Sequence, residues 1–141
     1  MTSVAWQLEH SVEAGVSSAS AWSFWTDVGN WSDPPARFEL DGPFAVGSSG
    51  RTLMPGQEAV LWRIGEVRSG SRATIEMQLD RATLSFEWRF EPLSEHRTKL
   101  TQRVALSGEN AAAYVEQVRA GFGATLADGM KRIAKAMEGT G

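Results

Sequence analysis

Few side chains in this sequence are equipped for chemistry, and they are thinly spread. There are two histidines, His10 and His96, and no cysteine among 141 residues. Disulfides, thiol nucleophiles and thiolate metal sites are therefore excluded. His96 lies in a polar stretch, Ser94-Glu95-His96-Arg97, and neither histidine has a second at ligand spacing. No metal site and no cofactor is expected. The serines lack a Gly-x-Ser-x-Gly elbow. Gly121-x-Gly123 opens a dinucleotide-like pattern, but Leu126 stands where a small residue belongs and no strand precedes it. Asn30-Trp31-Ser32 matches a glycosylation acceptor in form alone, with no secretion signal ahead of it.

Three residues remain as candidates for catalysis. His10 shares an alternating face with Trp6 and Leu8. An inward imidazole there either orients a ligand carbonyl and moves protons near neutral pH, or is a core histidine satisfied by backbone or by Gln102. Gln102 is the polar exception on an apolar strand face. Its amide costs free energy unless hydrogen-bonded, so it marks a polar point in a pocket or pairs with His10 or water. Tyr114 brings a ring and a hydroxyl to the start of the last helical stripe, at the rim of any pocket below it.

Apolar recognition has far more material. Ala21–Trp31, AWSFWTDVGNW, holds Trp22, Phe24, Trp25 and Trp31. Rings this dense need a large apolar surface to lie against. Trp25, Trp31, Trp62, Phe86, Trp88 and Phe122 are candidates to line a ligand site, or else they form ordinary core. Met77 and Val118 fall on the same faces. Pockets for small ligands are mostly apolar with a few placed polar groups. Here His10 or Gln102 would supply the polar point.

The elements that must position these residues follow from periodicity. Val4–Val12 alternates as a strand, and Gly15 ends it. Ser17 or Ser18 caps a helix running to about Val28, with Gly29 as its stop. Asn30–Pro35 reads as a turn or a second short helix. Arg37–Leu40 and Ser49–Met54 are strands. Val60-Trp62-Ile64 and Ile75-Met77-Leu79 form a hairpin about a two-residue Ser69-Gly70 turn, pairing Ile64 with Ile75, Trp62 with Met77 and Val60 with Leu79. Leu84-Phe86-Trp88-Phe90 follows after a two-residue connection, and Leu100-Gln102-Val104-Leu106 is the last strand. Ser107 caps a final helix, Glu109–Met137. Its stripe is Tyr114, Val118, Phe122, Leu126, Met130, Ile133 and Met137. Gly121, Gly123 and Gly129 inside it imply a kink or a close approach by a neighbour.

Length and composition set the outer bounds. A chain of this length is expected to be one domain, residues 1–141, with enough buried surface for a real core. The formal net charge is −3 and the pI near 5.4. The one basic cluster, Lys131, Arg132 and Lys135, is interrupted by Asp128 and Glu138, so no nucleic-acid partner is expected. No apolar run approaches the ~20 residues of a membrane span, and the start lacks a signal peptide's basic and apolar regions. Membrane insertion is not expected; a cytoplasmic monomer or weak homodimer is.

The order of strand, short helices, six strands and long helix resembles the helix-grip fold of the START-like or SRPBCC superfamily, which includes polyketide cyclase/dehydrase and lipid-transfer proteins. The first strand, the capped helix ending Phe24-Trp25-Thr26-Asp27, and Trp31 beyond it resemble that group's opening. The resemblance covers essentially the whole chain. It implies an α+β fold: a curved seven-stranded antiparallel sheet wrapped around a long C-terminal helix, with two short helices after the first strand. It further implies a cavity between sheet and helix for a small apolar or aromatic, lipid- or polyketide-like ligand. Two other functions travel with it: an enzyme of the cyclase, aromatase or dehydratase type, and an interaction module like the chaperone-activator branch.

Overall fold

The computed structural model describes residues 4–31 and 35–140. Seven strands occur in chain order: β1 Val4–Ala14, β2 Arg37–Leu40, β3 Ser49–Leu53, β4 Val60–Arg68, β5 Arg72–Leu79, β6 Ala82–Ser94 and β7 Arg97–Ser107. They form one antiparallel sheet in the order β1-β7-β6-β5-β4-β3-β2. Helix α1 is Ser18–Trp25, α2 is Val115–Phe122 and α3 is Leu126–Thr140. This is the expected helix-grip arrangement. Among the described residues, no helix is long and apolar enough to cross a membrane.

Strand parity decides which side chains meet. Leu8, Val104, Phe86, Ile75 and Ile64 form one row across the sheet, and His10, Gln102, Trp88 and Ala73 form the next. These residues lie on the concave face. The convex face carries the alternate, charged positions, crossed by ion pairs such as Arg89–Glu9, Arg97–Glu13 and Arg63–Glu76. Such exposed pairs contribute little each, but they keep that face wet.

The α1 end is closed tightly. Ser17 is the cap: its Oγ accepts from the Ser20 N–H at 3.1 Å. The helix stops at Trp25 rather than Val28. Thr26 Oγ1 donates back to Trp22 O at 2.9 Å, and the Asp27 carboxylate accepts from the Gly29 N–H at 3.0 Å. That carboxylate starts a separate 3-10 turn, Val28–Asn30. The rest of Asn30–Pro35 falls partly outside the described residues.

The Thr98 hydroxyl, fully buried, donates to Val16 O at 2.8 Å and ties β7 to the entry of α1. Thr98→Val keeps the shape and removes the donor, leaving a buried carbonyl unpaired. A loss of about 1–3 kcal/mol is expected in urea denaturation.

The β4–β5 hairpin reaches part of its expected register by a different route. Its loop has three residues, Ser69-Gly70-Ser71, with Gly70 at φ +83° and the Ser71 N–H donating to Arg68 O. That extra residue shifts the pairing by one. A bulge then shifts it back, because Gly65 and Glu66 stand opposite Thr74 alone. Thr74 Oγ1 accepts the displaced Glu66 N–H at 2.8 Å. Ile64 therefore pairs with Ile75, but the ladder ends at Arg63–Glu76. The expected pairs Trp62–Met77 and Val60–Leu79 do not extend it.

The C-terminal helix is the larger correction. It is not continuous from Glu109 to Met137: a 3-10 turn, Ala111–Tyr114, leads into α2, and α2 stops before α3 begins. Ser107 is the last residue of β7 rather than a cap. Gly108, at φ +118°, lies so close to the next hairpin that a Cβ would sit 2.7 Å from Ala82 Cα. Asn110 then clasps the β5–β6 turn, its N–H donating to Arg81 O and its amide to Asp80 O. The break between α2 and α3 spans residues 123–125, after Gly123 closes the last turn of α2 by donating its N–H to Arg119 O at 2.8 Å. Thr125 Oγ1 donates to Gly121 O across it. Gly129 lies within α3 with no break.

Candidate functional site

The aromatic residues separate into two groups. The first is a continuous cluster beneath α1. Trp25 meets Trp31, Trp88, Phe90 and Phe44 with ring centroids 5.1–5.8 Å apart, and Trp31 meets Trp62 at 5.4 Å. Trp22 and Phe38 extend it. Trp31 Nε1 donates to Trp25 O at 2.7 Å, and Trp62 Nε1 to Thr52 Oγ1 at 3.1 Å. Trp25, Trp62 and Trp88 are buried. Of the candidate ligand-binding residues, Trp25, Trp31, Trp62 and Trp88 are thus packed on one another.

The second group lies toward the β5–β6 turn, under α2. Phe86 and Phe122 meet edge to face at 5.4 Å. Val118 is buried, while Met77, Leu79, Phe86, Tyr114, Val115 and Phe122 pack against the core and are only partly buried. Apolar residues that face inward and still meet solvent mark an incompletely closed interior. The physical reason is the break after α2. Eight residues of helix supply one buried side chain, Val118, so the cover over β5 and β6 is thin.

The polar candidates fall in different places. His10 and Gln102 stand directly opposite one another on β1 and β7, with Trp88 next in the row. Both are half-buried, and neither side chain makes a hydrogen bond to any described residue. Tyr114 is committed: its hydroxyl oxygen accepts from the Asp80 N–H at 3.2 Å and helps hold the β5–β6 turn. Among the described residues, no group of three His, Asp or Glu side chains is placed to hold a metal ion.

Two surface depressions are open to solvent. One, about 420 Å³, lies over Ser11, Val12, Glu13, Arg97 and Lys99; the other, about 260 Å³, over Leu61, Trp62, Arg63, Glu76 and Gln78. Neither is a closed chamber between sheet and helix.

Sequence periodicity missed Phe38 and Phe44 as partners of these groups, and Leu79 was not among the ligand-binding candidates. Phe44 sits in the β2–β3 connection, where no period exists to reveal it. Leu79 was legible from parity with Met77.

Sheet, helices and concave face together form a helix-grip fold. The particular likenesses are to solved structures. Norcoclaurine synthase from Thalictrum flavum superposes with a TM-score of 0.69 at 16% identity, covering 96% of this chain and 92% of that one. An aromatase/cyclase from a Streptomyces species gives 0.66 at 16% identity over 99% and 93%. A protein from Nitrosomonas europaea gives 0.72 at 12% identity over 95% of each chain. The synthase has also been solved with dopamine and hydroxybenzaldehyde bound, a form that gives a TM-score of 0.66 at 17% identity over 96% and 86%. No family model matches the sequence, and no curated protein does. Identities this low establish the fold alone.

Proposed function

We propose that the protein binds a small apolar or aromatic molecule between α2 and the concave face of β5 and β6. The observation that carries this is the partly buried, inward-facing set Met77, Leu79, Phe86 and Phe122. Burying that apolar surface against a ligand is favourable by roughly 25 cal/mol per Å². The rings of Phe86 and Phe122 offer faces to a planar ligand. Among the fold neighbours, norcoclaurine synthase has been solved with dopamine and hydroxybenzaldehyde bound, and another is an aromatase/cyclase.

A second reading, chemistry of the cyclase, aromatase or dehydratase type, is favoured by one observation. His10 and Gln102 face the same interior from adjacent strands with uncommitted hydrogen-bonding groups. An imidazole can accept a proton and an amide can hold a carbonyl oxygen. The interaction-module reading has less support. Among the described residues the exposed large apolar side chains are Val4, Val46, Val60, Leu61 and Leu93, and the convex face is charged. Val60 and Leu61 adjoin in sequence, but strand alternation turns them to opposite faces of β4, which does not make a contiguous patch.

The test is titration with an uncharged aromatic dye, read by dye and tryptophan fluorescence. One saturable site is expected. Phe86→Trp should weaken binding several-fold by filling space, while His10→Ala should leave affinity for a purely apolar dye nearly unchanged and weaken a carbonyl-bearing analogue. Absence of saturable binding in the unmodified protein overturns the proposal.

A further inference from the structure

The ladder between β4 and β5 ends before either strand does, close to Met77 of the proposed site. Strand β4 begins at Val60 and β5 ends at Leu79, yet the ladder between them starts only at Arg63–Glu76. Each flank is paired on its other side: Val60–Trp62 with β3, and Met77–Leu79 with β6. Continued register would have joined Trp62 to Met77 and Leu61 to Gln78. Instead the 260 Å³ depression opens there, lined by Leu61, Trp62, Arg63, Glu76 and Gln78.

The side chains around the opening are arranged to keep it clear. The Trp62 ring lies over Gly50 on the β3 side, its Nε1 bonded to Thr52. Gln78 is turned toward the β5–β6 turn, where its amide donates to Ala82 O at 2.8 Å. The Arg63–Glu76 ion pair at 3.0 Å closes the lower end. Leu61, 68% exposed, gives the mouth an apolar lip. Behind the gap stands Met77, half-buried on the concave face beside the Ile75–Phe86 pair. An unbranched thioether side chain swings aside more readily than a branched or aromatic one.

We propose that the gap between β4 and β5 is the passage by which an uncharged planar or narrow apolar ligand enters and leaves the interior, with Met77 as the swinging residue. The inference rests on the ligand-binding reading above. Two edges with unpaired backbone groups and an apolar lip admit a thin neutral molecule; a charged one would lose its hydration there without a partner.

The absence of native cysteine makes the test clean. In a Leu61→Cys, Gln78→Cys double variant the two thiols flank the gap and can be bridged by oxidation or by a short bifunctional thiol reagent. Binding of the uncharged dye is followed by stopped-flow tryptophan fluorescence, bridged and unbridged. A passage acts on rates and not on the end states. Bridging should therefore slow association and dissociation together, each by about tenfold, while Kd stays within about twofold. A single Leu61→Trp variant, changed at an exposed position, should slow both rates in the same sense without any bridge. Equal rates in bridged, unbridged and Leu61→Trp proteins overturn the passage while leaving the site intact. Absence of saturable binding in the unmodified protein overturns the site itself, so the two failures are distinct.

Discussion

Trp25→Ala is expected to cost about 3–5 kcal/mol, the range for truncating a buried aromatic side chain. Trp25 is 1% exposed and touches the rings of Trp22, Trp31, Phe44, Trp88 and Phe90. Three of those partners come from α1, the 3-10 turn's edge and the β2–β3 connection; two come from β6. The residue therefore joins the short helical segments to the sheet. Its backbone carbonyl also receives the Trp31 indole N–H at 2.7 Å, a bond that depends on Trp31 remaining seated. Total stability of a single domain is roughly 5–15 kcal/mol, so this one truncation removes a large share. Urea denaturation at constant m-value gives the number. The same measurement separates two roles. A Trp25 that packs the core changes stability by this amount and dye affinity hardly at all. A Trp25 that lines a ligand chamber changes affinity, with a loss of stability under ~1 kcal/mol. The ring contacts favour the first.

Residues with a strict period were legible from sequence, and residues whose role depends on a single backbone event were not. The strands from β4 to β7 could be read because alternation assigns each side chain to a face, and one buried face tolerates no slip. Even so, the Ile64–Ile75 pair came out as expected through two compensating departures, a longer loop and a bulge at Gly65-Glu66. Neither leaves a trace in hydrophobic period. The bulge does leave one in residue type: a Cβ on Gly65 would stand 2.7 Å from Thr74 Oγ1. The stripe from Tyr114 to Met137 is real, yet it runs over two helices. The period survives the break although the two pieces cover different parts of the sheet: Phe122 of α2 lies on Phe86 of β6, while α3 packs along β1. Glycine alone does not mark the break: Gly123 ends α2 in a helical conformation, while Gly129 lies inside α3.

The candidate site was legible to a similar depth. Phe86, Met77 and Phe122 could be placed on facing surfaces from parity and stripe alone. The division of the tryptophans from that set could not, because it depends on where α1 lands. So too with Tyr114. Its position at the start of the stripe is in the sequence, but its bond to the Asp80 N–H arises only because the β5–β6 turn docks against the chain after Gly108.

Gly50 supplies the second large effect, and its sign depends on a neighbour. Gly50 and Trp62 are cross-strand partners on β3 and β4. A Cβ at position 50 would lie 2.2, 2.3 and 2.6 Å from three carbons of the Trp62 six-membered ring. The indole is held by Thr52 at its Nε1 and by the Trp31 ring at 5.4 Å, so it moves only by giving up those contacts. Gly50→Ala should therefore cost about 1–3 kcal/mol, toward the upper end, as overpacking does in a filled core. Backbone geometry predicts the opposite for the same substitution. Gly50 is not among the glycines with positive φ, so alanine fits its conformation. Glycine within a strand weakens it, and replacing it where the backbone allows stabilises by about 0.4–1 kcal/mol. Removing the ring should thus reverse the effect. In a Trp62→Ala background, itself less stable, Gly50→Ala is expected to raise the denaturation midpoint. The coupling between the two positions should reach about 2–3 kcal/mol, within the range for residues in contact. A cost that stays the same in both backgrounds would place the strain in the β3 backbone and not against the indole.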